Sequence, residues 1–343
     1  MSSDDACINA SRMLPIKFDH LPGEIKSHRN NQGTTREIMR EDSLSESPVF
    51  MKNYGRLVFL REMVFWPINF LLLQQSKKHL ANKRQLVVFS FDHIAHDINL
   101  NGIYEAKELE TFFGWISKYK GVFNGTAIDI GANIGNHSLF FSDFFERVFS
   151  FEPASRTYKI LSLNSDLVEN ITCFNVGISS SNREALLHVN QDNMGGSYVS
   201  TAPSTHTQNI KLQTLDSIVD TSEKIKLIKL DVEGHEYEAL QGSEKTIKNN
   251  APILLFEQHL SDFTNGQSRV INLLKSYGYS KFASIQNYPR APNSAGFLFK
   301  LLYGTVGRLM FGESMRVIFK DNFEPGSYSF IVAIPDWIDA TGT

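Results

Sequence analysis

The segment Thr126-Ala-Ile-Asp-Ile130 constrains this chain more than any other: an apolar strand that runs straight into Gly131-Ala-Asn-Ile-Gly135 and then into a helix. A glycine turn at the carboxyl end of a strand, with a helix behind it, is the ligand-binding corner of an open α/β sheet. Apolar runs of strand length at 126–130, 147–152, 171–176, 225–231, 252–258, 280–286 and 328–334 alternate with helical spacing near 134–145, 154–169, 235–248 and 265–277. The expected fold class is therefore α/β, a doubly wound, mostly parallel, seven-stranded Rossmann-like sheet with helices on both faces. The segment 177–220 breaks the rhythm with β-like pieces at 185–189 and 210–214, and is expected to insert near the mouth of the sheet.

Gly131 and Gly135 let the backbone approach a ligand closely, and Asp129 ends the strand with a carboxylate suited to water or to a cationic amino group. Asn133 stands where the dinucleotide fingerprint has its middle glycine, so the turn suits a nucleoside without a pyrophosphate. The next strand ends Phe151-Glu-Pro153, which puts Glu152 where a carboxylate can accept both hydroxyl hydrogens of a ribose. Asn175, at the end of the third strand, is expected beside the adenine. The cofactor-binding set is thus Asp129, Gly131, Asn133, Gly135, Glu152 and Asn175.

Two later strands end in ionisable groups at alternate positions, Lys229 and Asp231 on one, Glu257 and His259 on the other. Neighbouring parallel strands would bring these tips together, making Asp231, His259 and Lys229 the candidate catalytic residues. The near-neutral unperturbed pKa of an imidazole suits His259 to taking a proton from a hydroxyl. Alternatively, Asp231, Glu257 and His259 could hold a divalent metal ion that lowers the acceptor's pKa. Glu233 and Glu236 fit a helix start, where acids are favoured by the helix dipole. His137 and His235 are lone histidines near helix starts, and Lys229 is also suited to pairing with an acid inside the site.

The 343 residues are 42% hydrophobic, enough for a large core, and a net charge of −3 argues against a nucleic-acid partner. Two cysteines, Cys7 and Cys173, make no disulfide framework, and the first residues carry no secretory pattern, so a cytoplasmic setting is expected. Residues 1–45 read as a flexible lead, 46–120 as a helical accessory region, and 121–335 as the catalytic domain. Within that domain, 290–325 read as an apolar insertion or cover. The apolar stretch 57–73 is interrupted by Arg61, Glu62 and Pro67 and reads as a packed or interfacial helix rather than a ~20-residue membrane crossing. The stretch 297–311 reads as core or cover packing. Either stretch leaves peripheral membrane contact open, as it leaves a homo-oligomer. The turn Asn193-Met-Gly-Gly-Ser-Tyr198 is suited to folding over an acceptor.

Asn101-Gly-Ile-Tyr-Glu105, Asp129-Ile-Gly-Ala-Asn-Ile-Gly135, Phe151-Glu-Pro153, Leu215-Asp216, Lys229-Leu-Asp-Val-Glu-Gly-His-Glu236 and Phe256-Glu257, in this order and spacing, resemble the FkbM family of methyltransferases. The resemblance covers roughly residues 100–285. It implies a class I methyltransferase fold, S-adenosylmethionine as methyl donor, and most often O-methylation of a sugar or of a glycosylated or polyketide product. It maps the cofactor loop to Gly131 and Gly135 and the ribose acid to Glu152. The acceptor expected is a sugar hydroxyl in a glycan, a lipid-linked or glycolipid precursor, or a nucleotide sugar. The competing readings are a nicotinamide-dependent oxidoreductase or epimerase, disfavoured by Asn133, and a glycan-binding protein without turnover.

Overall fold

The computed structural model describes residues 55–79, 83–90, 92–190, 194–200, 202–288, 296–312 and 314–338. The expected flexible lead at 1–45, Cys7 and Asn193 lie outside the described residues. The chain divides into two compact units, Met1–Arg56 and Leu57–Thr343, and the sheet lies wholly in the second.

Three helices come first: α1 (Gly55–Lys77), α2 (His93–Asn101) and α3 (Ala106–Ile116). Helix α2 is bounded by its own sequence, because Asp92 accepts from the Ile94 amide at one end and Gly102 takes a left-handed conformation at the other. Helix α3 buries Leu109, Phe112, Phe113 and Ile116, the spacing of one helical face. The next elements are β1 (Thr126–Ile130), α4 (Asn136–Phe141), β2 (Arg147–Phe151), α5 (Ser155–Ser165) and β3 (Ile171–Phe174). An insertion of β4 (Gly177–Ile178), β5 (Arg183–His188), β6 (Tyr198–Ser200) and β7 (Thr207–Gln213) forms a separate sheet in the order β4-β7-β5-β6.

The chain returns through β8 (Ile225–Leu230), α6 (Glu236–Gln241), α7 (Glu244–Asn250) and β9 (Ile253–Gln258). A small hairpin, β10 (Phe263–Thr264) and β11 (Gln267–Ser268), leads into α8 (Arg269–Ser276). The last elements are β12 (Lys281–Tyr288), α9 (Phe297–Phe311), β13 (Ser314–Phe319) and β14 (Tyr328–Ile334).

The main sheet runs β13-β12-β14-β9-β8-β1-β2-β3. Strands β3, β2, β1, β8 and β9 are mutually parallel, while β14, β12 and β13 pair antiparallel at one side. Alternate residues of the parallel strands feed opposite faces: Ile128, Ile228 and Leu254 meet Ala239, Leu240 and Leu274, whereas Ala127, Leu227 and Ile253 meet Leu109, Phe112 and Phe141. The chain winds outward from β1 to β3 and then crosses back to β8 on the other side of β1. The β1/β8 boundary is therefore the topological switch point, where the carboxyl ends of the strands leave a crevice.

Four features differ from the sequence reading. The region 290–325 is more than a cover, because β13 pairs with β12 from Ala283↔Phe319 to Tyr288↔Ser314 and gives the sheet eight strands instead of seven. An exposed edge strand leaves no continuous apolar run by which to read it. The helix expected over 235–248 breaks at Gly242, where a Cβ would overlap the Ser179 carbonyl oxygen. The third and fourth differences concern packing. Helix α1, expected as packed or interfacial, has no buried residue, and α9, expected as core or cover, exposes Phe299, Leu302, Val306 and Leu309 among its described side chains.

Candidate functional site

A cavity of about 310 Å³ opens at the switch point, between the glycine turn, the tips of β2, β8 and β9, the insertion and the start of α2. Of the residues expected there, Gly131, Asn133, Glu152, Lys229, Asp231, Glu257 and His259 line it, and Asp129, Gly135 and Asn175 do not.

Gly131 turns the chain with φ +80°, and a Cβ on it would overlap the Asp231 carbonyl oxygen, so only glycine lets the β1 and β8 exits meet. Asn133 follows at φ +49°, a conformation that asparagine tolerates better than most residues. Its Oδ1 is buried without a hydrogen-bond partner among the described residues, and its backbone N–H donates to Glu152 Oε2 at 3.0 Å. Glu152 Oε1 accepts from the Ala154 N–H at 2.8 Å. Burial pushes the Glu152 carboxyl up to about 7, against the pull of those two amides. The acid is thus held rigidly at the β2 tip, with lone pairs remaining on both oxygens.

Asp129 and Asn175 are corrected by the structure. Asp129 is fully buried behind the turn, where Oδ2 accepts from Ser138 Oγ at 2.6 Å and Oδ1 lies 3.3 Å from Lys229 Nζ. The sheet register pairs Asp129 with Lys229, which draws the carboxylate inward rather than toward a ligand. Asn175 spends its amide on the carbonyls of Glu152 and Pro153, at 2.8 and 3.2 Å, so it shapes the β2 exit from outside the cavity. Gly135, at φ +90°, starts α4 against Leu161.

Lys229 bridges two acids, Asp129 at 3.3 Å and Asp231 at 3.2 Å. Burial works to lower its pKa, and the two carboxylates more than offset this, holding the ammonium above its ordinary value. Lys229 is consequently a fixed cation that orients Asp231. Glu257 is the opposite case: burial, followed by the nearby Asp231 and Glu105 charges, pushes its carboxyl up to about 9, so it carries a proton at neutral pH. Glu233 is raised by burial and by Asp231. Glu236 is fully buried and accepts from the Val232 and Gly234 amides, which makes it the clasp of the turn after β8.

His259 Nε2 has no hydrogen-bond partner among the described residues and lies 3.9 Å from both Glu233 Oε2 and Glu257 Oε2. The metal set expected of Asp231, Glu257 and His259 is not assembled: no group of three or more His, Cys, Asp or Glu among the described residues is placed to hold an ion. The Asp231 carboxylate is instead paired with Lys229 at 3.2 Å.

Sequence reasoning missed the wall supplied by the N-terminal region. Tyr104, Glu105 and His137 line the cavity, with His137 Nε2 3.1 Å from Glu105 Oε2. Asn136 pins this corner by accepting from the Tyr104 N–H and donating to the Tyr104 carbonyl, both at 3.1 Å. Glu105, Asn133 and Glu233 have positive φ (58°, 49° and 52°), and all three line the cavity, so backbone strain concentrates there. The available signal was the block Asn101-Gly-Ile-Tyr-Glu105, whose polar end has no place in an accessory helix. The insertion contributes Leu187, Ser197 and Val199 to the opposite wall. The chain leaving the insertion is held by Asp216, whose Oδ1 and Oδ2 cap α7 through the Thr246 and Lys245 amides.

A doubly wound sheet of this strand order, with a glycine turn after β1 and a buried acid at the tip of β2, defines a class I methyltransferase fold. Residues 129–281 match the family model of the methyltransferase FkbM domain. A relative, the hexuronic acid methyltransferase AglP of Haloferax volcanii, is 34% identical over 125 residues. That match covers 35% of this chain and 51% of the relative, so the chain spans about half the length of that curated protein. Among solved structures, a methyltransferase FkbM from Methylobacillus flagellatus aligns over 58% of this chain and 49% of its own, at 19% identity and a TM-score of 0.30. A precorrin-6y C5,15-methyltransferase from Geobacter metallireducens aligns over 73% and 100%, at 13% identity and a TM-score of 0.37.

Proposed function

We propose that this chain transfers a methyl group from S-adenosylmethionine to a hydroxyl of a sugar, carried on a glycan, a glycolipid precursor or a nucleotide sugar. The observation that carries the reading is the two-sided cavity: a glycine turn with a buried ribose-type acid on one side, and His259, Asp231 and Lys229 on the other. The residues present fit the cofactor. Glu152 has lone pairs for two ribose hydroxyls, and the orphaned Asn133 Oδ1 offers an acceptor to a donor group. When bound, S-adenosylmethionine supplies a methyl group activated by its sulfonium. The resemblance to a hexuronic acid methyltransferase supports a sugar as acceptor.

Asp231, steadied by Lys229, accepts from a neighbouring hydroxyl of the same sugar and so holds the acceptor oxygen toward the cofactor side, leaving the acceptor's own hydrogen to His259. His259 Nε2 takes the proton as the O–H bond breaks and the new O–C bond forms. Glu257, protonated at neutral pH, donates a hydrogen bond to a second sugar oxygen.

Calorimetric titration with S-adenosylmethionine, its demethylated product, NAD and NADP tests the cofactor half. Micromolar binding of the first pair alone is expected, and binding of a nicotinamide cofactor instead would overturn the reading. Incubation with neutral and uronic-acid glycosides, followed by mass spectrometry, tests the acceptor half. Methyl on a sugar hydroxyl is expected, with turnover in His259→Gln lowered by about 10²–10⁴-fold. Methyl found on a carboxylate, or an unimpaired His259→Gln, would remove the hydroxyl mechanism.

A further inference from the structure

We infer that α1 is a lipid-bilayer anchor that inserts along its own axis. The inference rests on burial and composition and is independent of the catalytic reading. No residue of α1 is buried, although Leu57, Trp66 and Leu71 are 83%, 70% and 66% exposed and nine other large apolar side chains of the helix are exposed with them. At 100° per residue these side chains point to every side of the helix. The polar line of Glu62, Asn69 and Ser76, at seven-residue spacing, is too narrow to be a solvated face. A helix packed on a protein shows one apolar stripe, whereas a helix apolar all round is enclosed, either in a protein core or in hydrocarbon. The share of its apolar window that is buried is 0%, which leaves hydrocarbon.

Length and charge agree with that occupant. The 23 residues extend about 35 Å, enough for a hydrocarbon core of about 30 Å. The carboxyl end of α1 is tied to the protein, because Ser76 Oγ donates to the Asn99 carbonyl at 2.7 Å and Gln75 Nε2 to the Leu100 carbonyl at 3.3 Å. Lys77, Lys78 and Lys83 follow at that end, complementary to anionic headgroups. Measured from Ser76, Trp66 lies about 15 Å in, at the midplane, and Arg61 about 22 Å in, from where its stem snorkels to the far headgroups. Pro67 is tolerated in such helices. The anchored end joins α2, whose first turn lines the cavity, so the site stands within about 14 Å of the membrane surface, the length of that short helix.

The full chain, purified in detergent and reconstituted with phosphatidylcholine–phosphatidylglycerol vesicles, should float with the vesicles and stay bound in 1 M salt (about 3 Å screening length) and alkaline carbonate. Three charges on the exposed helix, Phe65→Lys, Ile68→Glu and Leu72→Lys, replace exposed side chains and should cut flotation by at least about tenfold. Lipids brominated deep in the acyl chains should quench tryptophan emission, and this quenching should vanish in Trp66→Phe. Release by salt, undiminished flotation of the triple variant, quenching unaffected by Trp66→Phe, or a soluble oligomer that ignores vesicles would each overturn the anchor.

Discussion

At the scale of single residues, the site is a study in how burial redistributes protons. Glu152 is the clearest case, since it must accept hydrogens from a ribose and yet sits where burial pushes its carboxyl up to about 7. The ionised form is the better acceptor, so cofactor affinity should weaken as pH falls below about 7, and this slope should be absent in Glu152→Gln. Glu152→Ala should weaken S-adenosylmethionine binding by about 2–3 kcal/mol, roughly 30- to 160-fold, because a charge-assisted pair of contacts is deleted. A calorimetric affinity unchanged by either substitution, or free of pH dependence in the parent chain, would strip Glu152 of its role. Lys229 shows the converse. Two flanking carboxylates keep it charged despite near-complete burial, so it serves as an anchor for Asp231 and not as a base.

At the scale of elements, the β1–α4 turn and the β8–α6 turn must interlock for the cavity to exist. The Asp231 N–H donates to the Ile130 carbonyl at 3.0 Å, and the Gly131 and Ala132 amides both donate to the Phe151 carbonyl at 3.0 Å. Three strand ends are thus stitched together by backbone alone. Gly131→Ala should disrupt this junction, since the left-handed conformation costs about 1–2 kcal/mol with a side chain and the added Cβ meets a backbone oxygen that cannot swing away. Lower melting temperature together with lost cofactor binding is expected. A melting point within about 1 °C of the parent would show that the strands part without penalty. The strand ends were legible in the sequence because each is an apolar run stopped by glycine or an acid. The edge strand β13 was not, since half-exposed residues carry weak periodicity, nor was the break between α6 and α7, which depends on a close approach to Ser179.

At the scale of the molecule, buried acids link folding to pH. Glu152 and Glu236 are pushed up to about 7 and Glu257 to about 9, each chiefly by burial. In the unfolded chain these groups ionise near 4.5, so between that value and 9 the folded state holds more protons. Stability from this source is complete below the unfolded value and is lost as pH rises through 7 and then 9. The ligand-free protein should therefore melt lower at pH 9 than at pH 6, and Glu257→Gln should reduce the difference. A melting temperature that rises over this interval would contradict the burial of these acids.

The sequence by itself determined the doubly wound sheet, the glycine turn and the acids at the tips of β2, β8 and β9, because these follow from local periodicity and from residues that end strands. It also carried the unusual apolarity of α1. Only the tertiary structure decided which acids face the cavity: Asp129 and Asp231 look alike in the sequence, but the register of β1 against β8 sets Lys229 beside the first and turns it inward. Tertiary packing likewise brought Tyr104 and Glu105 to the site and left the apolar side chains of α1 exposed. Whether a charge meets a counter-charge, a ligand or solvent depends on residues far away in sequence, and no local pattern encodes that distance.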